Sequence, residues 1–151
     1  MAPTLCNAAA EAWIAAKADA LADSEAKDEL EISKLKEAWG GSGSKLAAGG
    51  SKAIKELEKE QKSRSTRMVR DYLDRALLDL STLYRDVLLV QSGSSDSLIN
   101  EDLKSEISKL AAGESPERTL KKIEAILKTR RNLAQNAAPL LLIEALMCEL
   151  R

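Results

Sequence analysis

The sequence predicts an all-α protein: a bundle of about five helices with a long antiparallel helical hairpin at its N-terminus. Hydrophobic residues make up 44% of the chain, but aromatic residues make up only 3% and phenylalanine is absent. Alanine and leucine must therefore supply the apolar packing, as is typical of helices. Apolar residues also recur at spacings of three and four. A length of 151 residues suits one domain with a modest core.

The first predicted helix covers residues 5–38. In its first half, small apolar residues share one face and would let another helix approach closely. After Asp23 acidic residues dominate, and few large apolar positions remain, among them Leu30 and Leu35. This face, on which small residues dominate, consists of Ala8, Ala9, Ala12, Trp13, Ala16, Ala20 and Leu21.

The second predicted helix runs from Ser51, as N-cap, to Gln91. Residues 40–51 precede it and hold five of the seven glycines, so they predict a flexible loop. The first half of the helix has a thin apolar stripe. From residue 69 the helix is broadly apolar, as expected of a core element, through Val69, Leu73, Ala76, Leu77, Leu80, Leu83, Tyr84, Val87 and Val90.

Opposite charges predict how these two helices meet. Residues 23–39 carry a net charge of about −3 and residues 45–67 about +4, so an antiparallel hairpin would bring complementary charges together. The chain is accordingly expected to form a single domain, 1–151. Within it, 5–39 and 52–68 are protruding hairpin arms, 40–51 is the loop and 69–151 is the bundle core.

Three further helices are predicted toward the C-terminus. Gly93 suits the end of the second long helix. A short helix follows over 101–112, with Asn100 as cap, Gly113 as stop, and Leu103, Ile107 and Leu110 as its stripe. Ser115, Pro116 and Glu117 form a clear helix start, and that helix, with Leu120, Ile123 and Ile126 or Leu127 inward, ends near 132–135. The last helix begins around 136–139 and is apolar around most of its circumference, which predicts a central position.

The residue types required for most catalysis are missing or wrongly placed. Histidine is absent, which removes the commonest general base and transition-metal ligand. The Gly-rich segment lacks the spacing and the preceding strand of a phosphate-binding loop. Carboxylates are abundant but fall on solvated helical faces. We therefore predict no catalytic, cofactor-binding or metal-binding residues, no cofactor and no small-molecule substrate.

The two cysteines, Cys6 and Cys148, lie near opposite ends of the chain among apolar residues. This pattern predicts buried thiols of a cytosolic protein, with a disulfide between the termini as the alternative. No apolar run is long enough to span a bilayer, and the N-terminus does not resemble a signal peptide. A soluble, cytoplasmic protein without membrane contact is expected.

Two basic stretches are the candidates for nucleic-acid contact. The first spans 59–70 and the second spans 118–131, including Arg118, Lys121, Lys122, Lys128, Arg130 and Arg131. Aromatic residues do not interleave the first stretch, so bases would have nothing to stack on. A solvated helix face, or pairing with the acidic helix, is the favoured interpretation.

The string Tyr84-Arg85-Asp86 does not predict local chemistry. Adjacent helical residues point in different directions, so Arg85 and Asp86 are not expected to form a dyad. Tyr84 lies on the apolar stripe and is expected to be a core aromatic with its hydroxyl at the edge. The residues alone therefore predict an all-helical interaction domain without catalysis.

Several strings together resemble one family. They are 83–91, LYRDVLLVQ; 98–103, LINEDL; 123–127, IEAIL; and 136–146, NAAPLLLIEAL. In this order they resemble the C-terminal collar domain of the delta-prime subunit of the bacterial DNA polymerase III clamp loader. Residues 57–67 resemble the form found in high-GC Gram-positive bacteria. The resemblance is strongest over 55–151.

The resemblance implies a clamp-loader collar fold and a role in oligomerisation. Family partners are the gamma/tau and delta subunits, while the sliding clamp and primed DNA are reached only indirectly. No segment here resembles the family's AAA+ module, so the chain is expected to be the collar alone and not an enzyme. The alternative is a generic helical-bundle or coiled-coil scaffold with an unrelated partner, which would self-associate through the 23–67 hairpin.

Overall fold

The computed structural model describes residues 5–39, 49–94 and 98–151, without the side chains of 5–10, 12 and 13. Every regular element within these ranges is a helix, which confirms the all-α prediction. In chain order they are α1 (Leu5–Leu21), α2 (Glu25–Ala38), α3 (Gly50–Gln91), a 3-10 turn (Glu101–Leu103), α4 (Lys104–Gly113), α5 (Pro116–Ala134) and α6 (Pro139–Glu149).

Contacts within the chain divide it into two compact units. The hairpin unit comprises Ala15–Tyr72, and the bundle unit comprises the residues up to Ile14 together with Leu73–Arg151. The chain passes from one unit to the other inside α1 and again inside α3. The predicted division into two arms, a loop and a core within one domain stays a prediction.

The first predicted helix is interrupted, so the expectation of one helix over 5–38 is wrong. α1 ends at Leu21 and α2 begins at Glu25. The buried Ser24 donates to the carbonyl oxygen of Leu21 from its hydroxyl, at 3.1 Å, and from its backbone nitrogen, at 2.9 Å. A serine that bonds its local backbone competes with helix propagation, and the acidic Glu25 and Asp28 then favour a new N-terminus.

The antiparallel hairpin is formed by α2 and the first part of α3. Arg64 donates from Nη2 to Asp28 Oδ1 at 2.7 Å and to Glu31 Oε2 at 2.6 Å. Gln61 donates from Nε2 to the Asp28 carbonyl at 2.9 Å and to Glu31 Oε2 at 3.2 Å. The predicted pairing of an acidic with a basic helix is therefore present. These groups are partly solvated, so they orient the helices more than they stabilise them.

The two ends of α3 follow glycine geometry. α3 begins at Gly50, after Gly49 with φ +98°, so the prediction of Ser51 as N-cap and of a loop through 51 is wrong. Residues 40–48 of that loop lie outside the described residues. At the other end Gly93 has φ +78°, and the amides of Gly93 and Ser94 donate to the carbonyls of Val90 and Leu89. This is a Schellman cap, and it confirms the prediction for Gly93.

Most core positions predicted along α3 are confirmed. Val69, Leu73, Leu77, Tyr84 and Val87 are all buried, and Val87 is completely inaccessible. Leu80, Leu83 and Val90 are half-buried, whereas Ala76 is exposed, against the prediction. In the bundle unit the completely buried Ile107 of α4 and Ile126 of α5 contribute further core, joined by Leu98, Ala125, Leu133 and Leu146.

The helix bounds after α3 agree with the sequence in part. α5 has Ser115 at its N-cap, accepting from the Arg118 amide, and Pro116 in its first turn, as predicted. α5 ends in a second Schellman cap, with Asn136 at φ +64°.

The short helix differs from its prediction in its start and in its buried face. It starts as a 3-10 turn, and the Asn100 side chain makes no cap hydrogen bond. That side chain bonds Asp86 instead. Of the predicted stripe only Ile107 is buried, while Leu103 and Leu110 are exposed.

The predicted central position of α6 is wrong. Although α6 is described in full, only its Leu146 is buried, and Leu141 is 65% exposed. α6 packs chiefly on α5. One neighbouring helix cannot cover a helix that is apolar all round, so much of the apolar circumference of α6 remains on the surface of the unit.

Candidate functional site

Asp86, in the string Tyr84-Arg85-Asp86, anchors the segment after α3. Its side chain is completely inaccessible. Oδ2 accepts from the amides of Ile99, at 3.0 Å, and Asn100, at 2.8 Å, and from Asn100 Nδ2 at 2.9 Å. Oδ1 accepts from Arg85 Nη1 at 2.9 Å. The prediction that Arg85 and Asp86 form no dyad is therefore wrong, because the long arginine side chain reaches back past the direction of its Cβ.

The environment of Asp86 keeps it ionised. Burial raises the pKa of its carboxyl, but the hydrogen bonds from Asn100 and Ile99 and the charge of Arg85 outweigh burial, so the pKa lies below its ordinary value. A buried carboxylate with several donors is a structural anchor, and no proton acceptor or nucleophile lies beside it among these contacts. Its role is to hold residues 98–100 against α3.

Tyr84 belongs to a second buried polar cluster. The ammonium of Lys122 lies 5.4 Å from the centroid of the Tyr84 ring and 2.5 Å from Glu114 Oε2. Thr119 donates to Glu114 Oε1 at 3.0 Å, and Gln91 donates to the Glu114 carbonyl at 2.9 Å. Tyr84 is buried, as predicted. Lys122, predicted to lie in a basic surface patch, is instead an interior group that links α5 to α3 and to the α4–α5 connection.

Several cations of the two basic stretches pair with carboxylates. Arg64 of the first stretch pairs with α2, as described above. In the second stretch, Arg130 makes a two-pronged contact with Asp74, at 2.8 and 2.9 Å, and Lys128 lies 3.4 Å from Glu149. The hydrogen bond from Arg130 lowers the pKa of Asp74 below its ordinary value. Ion pairing, and not a free cationic surface, is the outcome for these side chains.

The buried face of α5 is more polar than its sequence suggests. Thr119, Lys122, Ile126, Thr129 and Leu133 point inward at spacings of three and four. The leucines that sequence periodicity assigns to the core are on the outside, where Leu120 is 48% and Leu127 38% exposed. Of that predicted stripe only Ile126 is buried. Periodicity misses the buried face of α5 because polar residues occupy positions in it. The sequence does not show that Glu114 and Tyr84 would be their partners.

α5 and α6 both expose apolar side chains in the described part of the bundle unit. Leu120 and Leu127 are exposed on α5, and Leu141, Ala145 and Cys148 are exposed on α6 at spacings of four and three. We call these five residues the α5–α6 face. The expectation of a buried thiol is wrong for Cys148, which is free and exposed. The Cys6 side chain lies outside the described residues.

An open groove of about 650 Å³ overlaps this face at Leu127, which lines it. Lys121, Lys128 and Arg131 line it, with Glu124 and Glu149 among them. Its charges are mixed, which suits contact with another protein surface better than capture of one small anion. In the described part of the chain, no cluster of three or more His, Cys, Asp or Glu residues could hold a metal ion. The same residues contain no helix long and apolar enough to cross a membrane.

Comparison with known proteins gives one match. A family model described as DNA polymerase III, delta subunit, C terminal, matches residues 54–151, which is 98 of the 151 residues and runs from the second turn of α3 through α6. No curated protein and no solved structure matches the chain. The matched span includes the entire α5–α6 face and leaves out α1 and α2.

Proposed function

We propose that this chain, which belongs to the family of C-terminal domains of the DNA polymerase III delta subunit, is a non-catalytic assembly domain of the clamp loader. Membership makes it a clamp-loader component of DNA polymerase III. The finer assignment is a collar domain of delta-prime type, in the form of high-GC Gram-positive bacteria. The delta-prime part rests on the ordered strings between Leu83 and Leu146, and the high-GC part rests on residues 57–67. The assignment implies a protein that works in the cytoplasm.

The observation that carries the proposal is the α5–α6 face. Soluble proteins rarely leave several large apolar side chains exposed on adjacent helices unless that surface meets a partner. On this face, Leu141 is 65% exposed. The whole face lies inside the family match. A collar domain must bind its neighbours side by side, and packing of helix on helix through leucine and alanine is a suitable means.

The proposed partners are the gamma/tau and delta subunits, while the sliding clamp and primed DNA are reached through them. The chain itself is proposed not to hydrolyse ATP. Its buried polar groups, Asp86 and the Glu114–Lys122 pair, serve the fold. ATP hydrolysis that co-purifies with the chain through successive steps would contradict this part of the proposal if substitutions in the chain abolish it.

Binding of the full chain to purified gamma/tau and delta tests the proposal. The variants Leu127→Asp and Leu141→Asp place a charge on an exposed position, so they should fold normally and weaken binding by roughly tenfold or more. Leu30→Asp is a matched control, because Leu30 is 54% exposed on α2, outside the family match. A folded wild-type chain that binds neither subunit would overturn the collar role.

The delta-prime assignment has its own test. A chain of this type should compete with authentic delta-prime for gamma/tau and should bind together with delta. Competition with delta and not with delta-prime would assign the chain to the delta position instead.

A further inference from the structure

The hairpin unit contains a helix that is poorly covered. α2, described in full, buries none of its 14 residues, and its Leu30 is 54% exposed. Its polar links to α3 run through Gln61 and Arg64. A helix of this length is marginal without tertiary packing, so its apolar positions call for more cover than α3 provides.

A groove lies between α2 and the start of α3, with a volume of about 590 Å³. Leu35 and Ala38 from α2 and Ala53 and Leu57 from α3 supply its apolar lining. The leucines are half-buried. The two alanines are too short to fill the space between the helices, so the groove can admit side chains from another helix pair.

The two walls of the groove carry opposite charge. Lys34 lines it on α2, and Glu56 and Glu60 line it on α3; all three are exposed. The remaining acid of the lining, Glu31, is half-buried and shares Arg64 with Asp28. Because Asp28 and Glu31 contact Gln61 and Arg64 in an antiparallel arrangement, Lys34 lies at a height between Glu56 and Glu60.

This pattern is complementary to itself. A two-fold axis parallel to the helices puts α2 of one copy opposite α3 of the other. Lys34 of each copy then meets Glu56 and Glu60 of its partner, and the leucines and alanines meet between them. A uniformly acidic or basic helix would be repelled by one wall. We propose that this groove, the hairpin groove, docks a second copy of the chain to form a four-helix bundle.

The predicted dimer is a weak one. α2 is about 21 Å long at 1.5 Å per residue, so the buried area is at the low end for stable interfaces and the dissociation constant should be on the order of micromolar. The groove is distinct from the α5–α6 face, because it belongs to the other unit. Its α2 wall lies outside the family match, whereas Glu56, Leu57 and Glu60 of its α3 wall lie inside it.

A charge-swap experiment on the full chain tests the proposal. Analytical ultracentrifugation of wild type should show a concentration-dependent shift from 16.4 kDa to twice that mass. Lys34→Glu alone and Glu56→Lys/Glu60→Lys alone each put like charges across the interface, and each should raise the dissociation constant about tenfold or more. An equimolar mixture of the two variants pairs opposite charges at both contacts and should restore the dimer.

Matched controls reverse charges outside the groove. Lys55→Glu and Glu58→Lys are exposed positions of α3 that do not line it, and both should dimerise as wild type does. Helicity by circular dichroism checks that each variant folds. The proposal is overturned if the wild-type chain is still a monomer at several hundred micromolar. It is also overturned if the groove variants dimerise as well as wild type, or if the mixture of the two charge-swap variants does not restore the dimer. Binding of gamma/tau and delta by the same variants should be unchanged, which separates this result from the test of the clamp-loader role.

Discussion

Asp86 owes its place in the interior to the number of donors around it. Asp86→Asn keeps the shape but removes the charge and turns one acceptor into a donor that faces other donors. We expect a loss of about 2–3 kcal/mol in the free energy of unfolding, since bonds to charged groups are stronger than neutral ones. Urea denaturation of wild type and variant measures this loss in the free energy of unfolding. A loss of only a few tenths of a kcal/mol would mean that the Asp86 anchor adds little stability.

The same carboxylate should make stability depend on pH. Because the pKa of Asp86 is lowered in the folded chain, its contribution is present above the unfolded value of about 4 and is lost as pH falls below it, through the folded pKa. The stability gap between wild type and Asp86→Asn should therefore narrow on acidification. Other carboxylates are common to both proteins, so they cancel in the difference. A gap that stays constant down to about pH 2 would contradict this.

Lys122 and Glu114 form a buried pair, with side chains 10% and 8% exposed. Lys122→Met removes the nearer cation from the buried Glu114 carboxylate, leaving Arg118 at 4.0 Å, and should cost about 3 kcal/mol. The double variant Lys122→Met/Glu114→Gln removes both charges and should cost less than the single one. Denaturant unfolding of both single variants and the double variant gives the coupling. Simple additivity would show that the pair is not coupled.

At the scale of helices, alanine substitutions at two glycines should change stability in opposite directions. Gly93 has φ +78°, so Gly93→Ala should cost about 1 kcal/mol, although a Cβ would meet nothing within 4 Å. Gly113 ends α4 in an ordinary conformation, again with nothing within 4 Å. Gly113→Ala should gain about 0.5 kcal/mol by restricting the unfolded chain. Thermal unfolding of both variants checks the difference in sign.

Local rules predict two helix ends of this chain correctly and miss others. Gly93 as a C-cap and Ser115 before Pro116 follow from backbone geometry that depends on a few neighbouring residues. The break at Ser24 escapes periodicity because it depends on a hydroxyl that bonds Leu21. Asn100 has the sequence context of a cap, but its true partner, Asp86, is 14 positions away.

Periodicity predicts the buried face of one helix and fails for another. Periodicity places most of the core of α3 correctly, since large apolar residues there are inward and charged residues outward. On α5 the rule fails, because partners from other elements make polar residues acceptable inside while leucines remain outside. The candidate interaction surface is made of those outward leucines, so a rule that puts leucines in the core could not find it.

For the molecule as a whole, Cys148 provides a direct reporter of assembly. Its thiol is exposed beside Ala145 on α6. In a Cys6→Ser background, binding of gamma/tau or delta should slow its alkylation severalfold, because the partner would cover it. An unrelated protein at equal concentration is the control. An unchanged rate at saturating partner would place the contact elsewhere on the molecule.

The order of the sequence strings allows the family to be recognised. The physical role of the residues in those strings cannot be recognised from the sequence. The string Tyr84-Arg85-Asp86 contributes to two different polar clusters. Tyr84 contacts Lys122, whereas Arg85 and Asp86 lie in the cluster that includes Asn100, and both partners come from later in the chain. Composition and periodicity lead to a helical protein without evident catalysis. The contacts explain why this helical protein keeps charged residues in its interior.

The inverted polarity of α5 has a consequence for how the fold is chosen. α5 leaves Leu120 and Leu127 exposed while it buries Thr119 and Thr129 beside Ile126 and Leu133, so apolar burial alone discriminates weakly between rotations of the helix about its own axis. The Glu114–Lys122 pair and the Asp74–Arg130 contact form in the observed orientation. These polar contacts therefore help to select that orientation at some cost in apolar burial. If they are replaced with apolar residues, we expect the exposed leucines of α5 to become able to turn inward.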